Sequence, residues 1–176
     1  PDRTGQPIKV YIFAGQSNMG GGVNLKHLHA DEPAYQWMHS DQNNVPYFWF
    51  RRSEETETWE ILTDETHREG HWEQVTAYAL WKHWQQTNPP QRIAVITVTV
   101  GATQMADYWT AGGRASREGQ EDWVKTRKQG KGNAHFQRIV TKAFAQLKEL
   151  GYKPDLEAVT WYQGEGDSLH QFHADS

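Results

Sequence analysis

The chain contains no cysteine, which excludes disulfide bonds, thiol nucleophiles and thiolate metal ligands together. It also lacks any apolar run near the roughly 20 residues that a membrane-spanning helix requires. The longest apolar stretch, residues 93–100, is threonine-laced and β-branched, which indicates a strand. Basic residues are not in excess, because 18 Lys and Arg stand against 22 Asp and Glu, so a nucleic-acid partner is not expected.

The length of 176 residues suits one domain, which can bury roughly 70% of its unfolded surface. The chain begins at Pro1, with neither an initiator methionine nor a signal peptide. This beginning favours a mature secreted or periplasmic protein over an excised segment. The absence of cysteine fits either compartment, so a cytoplasmic location stays open.

Strand and helix patterns alternate along the chain, which favours a parallel sheet covered by helices on both faces. Strands are predicted over residues 8–14, 93–100 and 156–162, and helices over residues 72–86 and 134–150. Gly151 is expected to cap the second helix in a left-handed conformation. Residues 23–68 and 110–133 are predicted as long polar segments, the first with an edge strand near residues 47–50.

The sequence carries nine tryptophans, a high number for this length. Packing accounts for most tryptophans in proteins, but an exposed indole face also suits the C–H surface of a sugar ring. The candidates for such stacking are Trp49, Trp59, Trp109 and Trp123.

Residues 9–20 predict a buried strand that enters a tight glycine turn, with Ser17 placed where a helix begins. This geometry lifts a hydroxyl out of the sheet, toward backbone N–H groups that can face developing negative charge. Met19 stands where the Gly-x-Ser-x-Gly elbow of α/β-hydrolases has its second glycine, so a serine esterase of another lineage is indicated. The alternative is that Ser17 is only a helix N-cap, a role that Asn18 could share.

Short polar or glycine-rich motifs follow all three predicted strands, at residues 15–18, 101–104 and 163–167. The carboxyl ends of parallel strands meet at one edge of a sheet, where open α/β folds bind their ligands. We therefore expect a nucleophile, backbone donors and side-chain amides around one crevice.

These motifs resemble the SGNH hydrolase superfamily, in the branch of sialate O-acetylesterase-like and carbohydrate esterase family six (acetylxylan esterase-like) proteins. The resemblance rests on Phe-Ala-Gly-Gln-Ser-Asn-Met at residues 13–19 and Trp-Tyr-Gln-Gly-Glu at residues 161–165, followed by Asp167. Residues 69–73 and the strand that precedes Gly101 lie between them in the family's order. The resemblance implies a flavodoxin-like three-layer α/β/α sandwich over residues 1–176, which ends before the family's last structural unit.

The resemblance also implies a function and a set of site residues. The reaction is removal of O-acetyl groups from an acetylated carbohydrate, of the acetylxylan or sialic-acid type, through an acyl-serine intermediate and with no cofactor or metal. Ser17 is the nucleophile, and the oxyanion hole consists of the Ser17 N–H, the Gly70 N–H and the Gln163 amide. The residues that support these turns are Gln16, Asn18, Gly164, Glu165 and Asp167.

The chain departs from the family because no Asp-x-x-His pair follows at the family's distance from Gln163. A serine hydroxyl without a neighbouring base is a poor nucleophile, so this chain alone is expected to be a weak esterase. His170, in an Asp-x-x-His run that starts at Asp167, is the alternative as a relocated base. The sheet edge left open is expected to be covered by a further segment or by a partner chain.

Other interpretations remain beside the esterase. One is a carbohydrate-binding module or pseudoenzyme that keeps the crevice without the base, and another is an SGNH esterase acting on lipid or aryl esters. A phosphate-binding loop at residues 15–22, a glycosidase carboxylate pair at Glu165 and Asp167, and metal-binding histidine pairs at residues 27 and 29, 67 and 71, and 170 and 173 are weaker matches.

Overall fold

Four parallel strands form the centre of the fold, and their β-branched and aromatic residues suit a buried sheet. The computed structural model describes residues 4–20, 31–39, 44–51, 54–63, 72–101, 103, 105–110 and 130–164. The elements in chain order are β1 (Gln6–Gly15), α1 (Ser17–Gly20), α2 (Pro33–Met38), β2 (Pro46–Arg51), β3 (Glu54–Glu55), β4 (Glu60–Ile61), α3 (Trp72–Gln85), β5 (Arg92–Thr99), a π-helical turn (Met105–Trp109), α4 (Lys131–Glu149) and β6 (Tyr152–Tyr162).

The strand order across the sheet is β3–β2–β5–β1–β6, and β4 also pairs with β2. β1 lies between β5 and β6 and is parallel to both, while β2 is parallel to β5. β3 and β4 are short and antiparallel to β2. The three strands predicted outside the polar segments therefore lie in the order second, first, third, and the parallel strand β2 joins the sheet on the outer side of the second.

Successive residues of β1 point to opposite faces of the sheet, and each face has its own helices. Ile8, Val10 and Ile12 pack on one face with the buried side of α4. Tyr11 and Phe13 pack on the other face with α2 and α3. The three-layer α/β/α arrangement predicted from the sequence is confirmed.

The predicted helices and strands are present with small changes at their ends. α4 begins at Lys131 rather than at residue 134, and Gly151 has the predicted left-handed conformation, with φ of 88°. β6 begins at Tyr152 and contains Pro154, which an edge strand tolerates because it needs no hydrogen-bond donor on its outer side. α2 lies within residues 23–68, which are predicted as a long polar segment, and the π-helical turn lies at residues 105–109, where no element is predicted.

The last strand of the described structure, β6, pairs with β1 along one edge and with no described strand along the other. Its large apolar side chains are unusually exposed, at 49% for Leu156, 47% for Val159, 40% for Trp161 and 50% for Tyr162. This strand lies at the sheet edge that the sequence predicts to be covered by a further segment or by a partner chain, and that cover stays a prediction. In the described ranges, no helix has the length and the apolar character to cross a membrane.

Candidate active site

The turn after β1 places Ser17 at the carboxyl edge of the sheet. Gly15 has a φ of 143°, and a Cβ atom there would lie 2.0 Å from the Tyr162 carbonyl oxygen, so only glycine fits. The Gln16 N–H donates to the same Tyr162 oxygen at 3.1 Å, which ties the turn to β6. Ser17 then begins α1 and is exposed, as the predicted strand–turn–helix geometry requires.

The end of β5 lies directly against the serine. The Val100 N–H donates to the Gly15 oxygen at 3.0 Å, and a Cβ atom on Gly101 would lie 3.5 Å from the Ser17 Cβ. The sequence predicted that this strand end reaches the crevice, but it gave Gly101 no role. The signal that could have found it is a glycine immediately after a core strand, where backbone N–H groups can approach a ligand.

Gln163 follows β6 and reaches across to both neighbouring strand ends. Its Nε2 donates to the Thr103 backbone oxygen at 2.7 Å and, over a longer 3.4 Å, to the Gln16 Oε1. The side chain thus lies beside the residue that precedes Ser17. Within the described part of the chain nothing donates to the buried Gln163 Oε1. The orientation of the amide is therefore set by the two oxygens that accept from Nε2, those of Thr103 and Gln16.

Thr103 belongs to the motif at residues 101–104, and it is a buried polar residue to which the sequence assigns no role of its own. Its hydroxyl donates to the Val100 oxygen at 2.7 Å and accepts from the Trp109 indole N–H at 2.9 Å. Thr103 is 2% exposed and Trp109 is 3% exposed. The prediction that Trp109 offers an exposed face for sugar stacking is therefore wrong, because its ring lies in the core.

The other candidate tryptophans, and Trp161 on β6, differ in how far their rings are exposed. Trp49 and Trp59 are half-buried, and their indole N–H groups donate to Glu60 and to the Ala143 oxygen. Trp123 lies outside the described residues. Trp161 has an exposed ring, which stands edge-on to Trp109 with centroids 4.9 Å apart.

Several predicted site residues lie outside the described residues, namely Gly70, Glu165, Asp167 and His170, together with the three histidine pairs. Their roles stay predictions. Of the supporting residues that are described, Asn18 is exposed on α1, and Gly164 has a φ of 127°, with no described atom within 4 Å of where its Cβ would lie. No group of three or more metal-binding side chains occurs in the described ranges.

Two charged side chains of the described structure form hydrogen bonds away from the Ser17 site. Lys9, in the first half of β1, donates to Asp155 at 2.7 Å and also to Glu157. These hydrogen bonds, the one to Asp155 first, raise the pKa of Lys9 to about 12. On the α3 side, the buried Glu73 carboxylate accepts a hydrogen bond from the Thr97 hydroxyl at 3.4 Å.

The chain is similar to a known protein family and to solved structures. A novel carbohydrate acetylesterase from Xanthomonas citri is similar over 90% of this chain and 33% of its own, with 14% identity and a TM-score of 0.43. The chain thus spans about a third of the length of that protein. No functionally curated protein matches the sequence. The profile of a family described as "carbohydrate esterase, sialic acid-specific acetylesterase" matches residues 7–176. Because this match covers nearly the whole chain, the protein belongs to that carbohydrate esterase family, as the motifs at residues 13–19 and 161–165 predict.

Proposed function

We propose that the protein removes O-acetyl groups from carbohydrate through an acyl intermediate on Ser17. The observation that carries the proposal is the position of Ser17. It is exposed where β1 turns into α1, with Gly101 against it and the Gln163 amide beside the preceding residue. Membership of a carbohydrate esterase family supports the choice of an acetylated sugar as the substrate.

The proposed reaction has two steps. The Ser17 Oγ attacks the acetyl carbonyl carbon while a base takes the hydroxyl proton, and the sugar oxygen leaves with that proton. Water then attacks the acetyl-serine by the same route and releases acetate. His170 is the candidate base within this chain, and a histidine elsewhere in the full-length protein is the alternative.

The negative charge of the tetrahedral intermediate needs donors that are already in place. The proposed donors are the Ser17 N–H, the Gln163 amide and a second backbone N–H. Gly70 stays a candidate for the last of these from the sequence. Gly101 is a further candidate, since it directly follows β5 and lies against Ser17.

The proposal is tested with the full-length protein that contains this chain, as wild type and as Ser17→Ala. Acetylated xylan, O-acetyl sialic acid and p-nitrophenyl acetate serve as substrates, and a fluorophosphonate probe reports on the nucleophile. Ser17→Ala is expected to abolish acetate release and labelling, whereas Gln137→Ala, at an exposed position on α4, keeps labelling.

The substrates and the probe separate the competing functions. Release from the sugar esters far above release from the aryl ester supports carbohydrate as the substrate class, and the reverse favours a general esterase. Sugar binding without hydrolysis or labelling points to a binding module and contradicts the proposal. Hydrolysis that persists in Ser17→Ala contradicts the assigned nucleophile.

A further inference from the structure

We propose that Thr103 is a positioning residue, which orients the Gln163 amide through its backbone carbonyl and is itself held by Trp109. The inference deepens the proposed function, on which it rests, because it concerns a residue that acts through the oxyanion donor. We call these three residues the amide latch.

The first step is the anchoring of Thr103. A threonine hydroxyl has one donor and two acceptor positions, and here it donates to Val100 O at 2.7 Å and accepts from Trp109 Nε1 at 2.9 Å. Both side chains are buried, so water does not compete for these bonds, and removing the hydroxyl leaves a carbonyl and an indole N–H without this partner. The Thr103 backbone is therefore held at a defined place beyond β5.

The second step is the orientation of the amide. The 2.7 Å bond to Thr103 O uses one N–H of Gln163, and the opposite amide orientation would bring Oε1 against that carbonyl oxygen. The second N–H points toward Gln16 Oε1 at 3.4 Å, which is long for a hydrogen bond. The amide is thus anchored by one hydrogen and offers the other toward the turn that carries Ser17.

The third step is the packing of Trp109 against its neighbours, which holds its indole N–H at the Thr103 hydroxyl. A Cβ atom on Gly132 would lie 2.8 Å from Trp109 Cε3, so the absence of a side chain there lets α4 approach the ring. Trp109 also stands edge-on to Trp161, two residues before Gln163. The same indole thus contacts both the strand that carries the amide and the residue that anchors it.

The test is a double-mutant cycle on acetyl ester hydrolysis by the full-length protein. Thr103→Val keeps the shape of the side chain and removes both hydrogen bonds of its hydroxyl. We expect kcat to fall about tenfold to a hundredfold, with KM changed less than about threefold, because small displacements of a catalytic group have effects of this size. Thr103→Ser keeps the hydroxyl and is expected to retain kcat within about threefold of the wild type.

The cycle separates positioning from a general structural role. In the Gln163→Ala background, Thr103→Val is expected to lower kcat by less than about twofold, since the group that it positions is gone. Thr110→Val is the matched control, because Thr110 lies on the same loop and its hydroxyl donates to Met105 O at 2.8 Å while exposed. It is expected to leave kcat unchanged.

A readout without turnover accompanies the kinetics. The side-chain amide signal of Gln163, identified in ¹H–¹⁵N spectra by its loss in Gln163→Ala, is expected to shift in Thr103→Val and to stay in place in Thr110→Val. Trp109→Phe keeps a ring but removes the indole N–H, and it is expected to shift the same signal. This variant tests the latch if Thr103→Val does not fold.

The outcomes distinguish the two proposals. If Thr103→Val and Gln163→Ala lower kcat multiplicatively, or if the Gln163 signal does not move in either latch variant, the latch is overturned while the esterase stands. If Ser17→Ala retains activity, the esterase mechanism fails, and the position of the Gln163 signal alone decides the latch.

Discussion

The Gln163 side-chain amide donates a 2.7 Å hydrogen bond to the backbone oxygen of Thr103, 60 residues earlier in the chain. This bond joins the ends of β5 and β6 across the end of β1, where Ser17 begins a helix. The site is therefore assembled by strand ends that are distant in sequence, and its geometry depends on contacts between them.

The first prediction concerns Gln163 itself. Gln163→Ala is expected to lower kcat for acetyl ester hydrolysis about 10²–10³-fold, the usual effect of losing one oxyanion donor. The free energy of unfolding is expected to fall by only about 1 kcal/mol, because few hydrogen bonds of a half-buried side chain are lost. Steady-state kinetics and urea unfolding measure the two effects. Gln137→Ala, which removes an exposed glutamine from α4, is the control, and equal kinetic losses in both variants would contradict the role.

The second prediction concerns Gly15. Gly15→Ala places a methyl group 2.0 Å from the Tyr162 carbonyl oxygen at a φ of 143°. Overpacking and backbone strain together are expected to lower the free energy of unfolding by about 2–5 kcal/mol. Gly164→Ala is the matched control, since φ is 127° there but no atom of the described residues lies within 4 Å of the added carbon. A smaller loss for Gly15→Ala than for Gly164→Ala, measured by urea unfolding, would contradict the close approach of β6.

The third prediction concerns Gly101. In Gly101→Ala the new methyl lies 3.5 Å from the Ser17 Cβ, an ordinary contact distance. The free energy of unfolding is expected to change by less than about 0.5 kcal/mol, as for most exposed positions. Both variants are expected to lower kcat/KM, and Gly101→Val more than Gly101→Ala, because the larger side chain occupies more of the space beside Ser17 that the substrate needs. Unchanged kcat/KM in both variants would place the acetyl group elsewhere.

The fourth prediction follows from the pKa of Lys9, which its hydrogen bonds to Asp155 and Glu157 raise from the ordinary 10.5 to about 12 in the folded protein. Because the folded state binds the Lys9 proton more tightly than the unfolded state does, the charged Lys9 stabilises the fold. This contribution to the free energy of unfolding is fully present below pH 10.5 and is lost as the pH rises through about 12. Thermal unfolding at pH 9 to 12 should therefore show a steeper loss of Tm in the wild type than in Lys9→Met. Lys153→Met, at an exposed position on β6, should follow the wild type. Identical slopes for wild type and Lys9→Met would argue against the Lys9–Asp155 pair.

Much of the fold follows from local patterns in the sequence. The apolar run in residues 8–14 and the helical spacing of Ile139, Ala143 and Leu147 predict elements that the structure confirms, because these residues lie in the core. Pro33–Met38 and Met105–Trp109 could not be predicted in this way. These segments are too short for a helical period to show, and long-range packing decides their shape.

The candidate site was predictable in part, for a similar reason. Gly15 and Ser17 form a turn whose chemistry is local, so their arrangement is visible in the sequence. Thr103 and Trp109 make hydrogen bonds that depend on a loop folding back on itself, and a threonine in a polar loop gives no sign of being buried. Trp109 was assigned to sugar stacking because composition does not tell a core indole from an exposed one.

Among the described strands β6 pairs only with β1, and this one-sided pairing has a consequence for the dynamics of the site. In a strand paired on one side, alternate backbone N–H groups donate to the neighbour and the others face solvent. Hydrogen–deuterium exchange along residues 152–162 is therefore expected to alternate between slow and fast amides, and a uniform slow rate would show that the edge is covered. Gln163 directly follows this strand. Any segment or partner that slows exchange along β6 would therefore also restrict the motion of the turn that carries the Gln163 side chain.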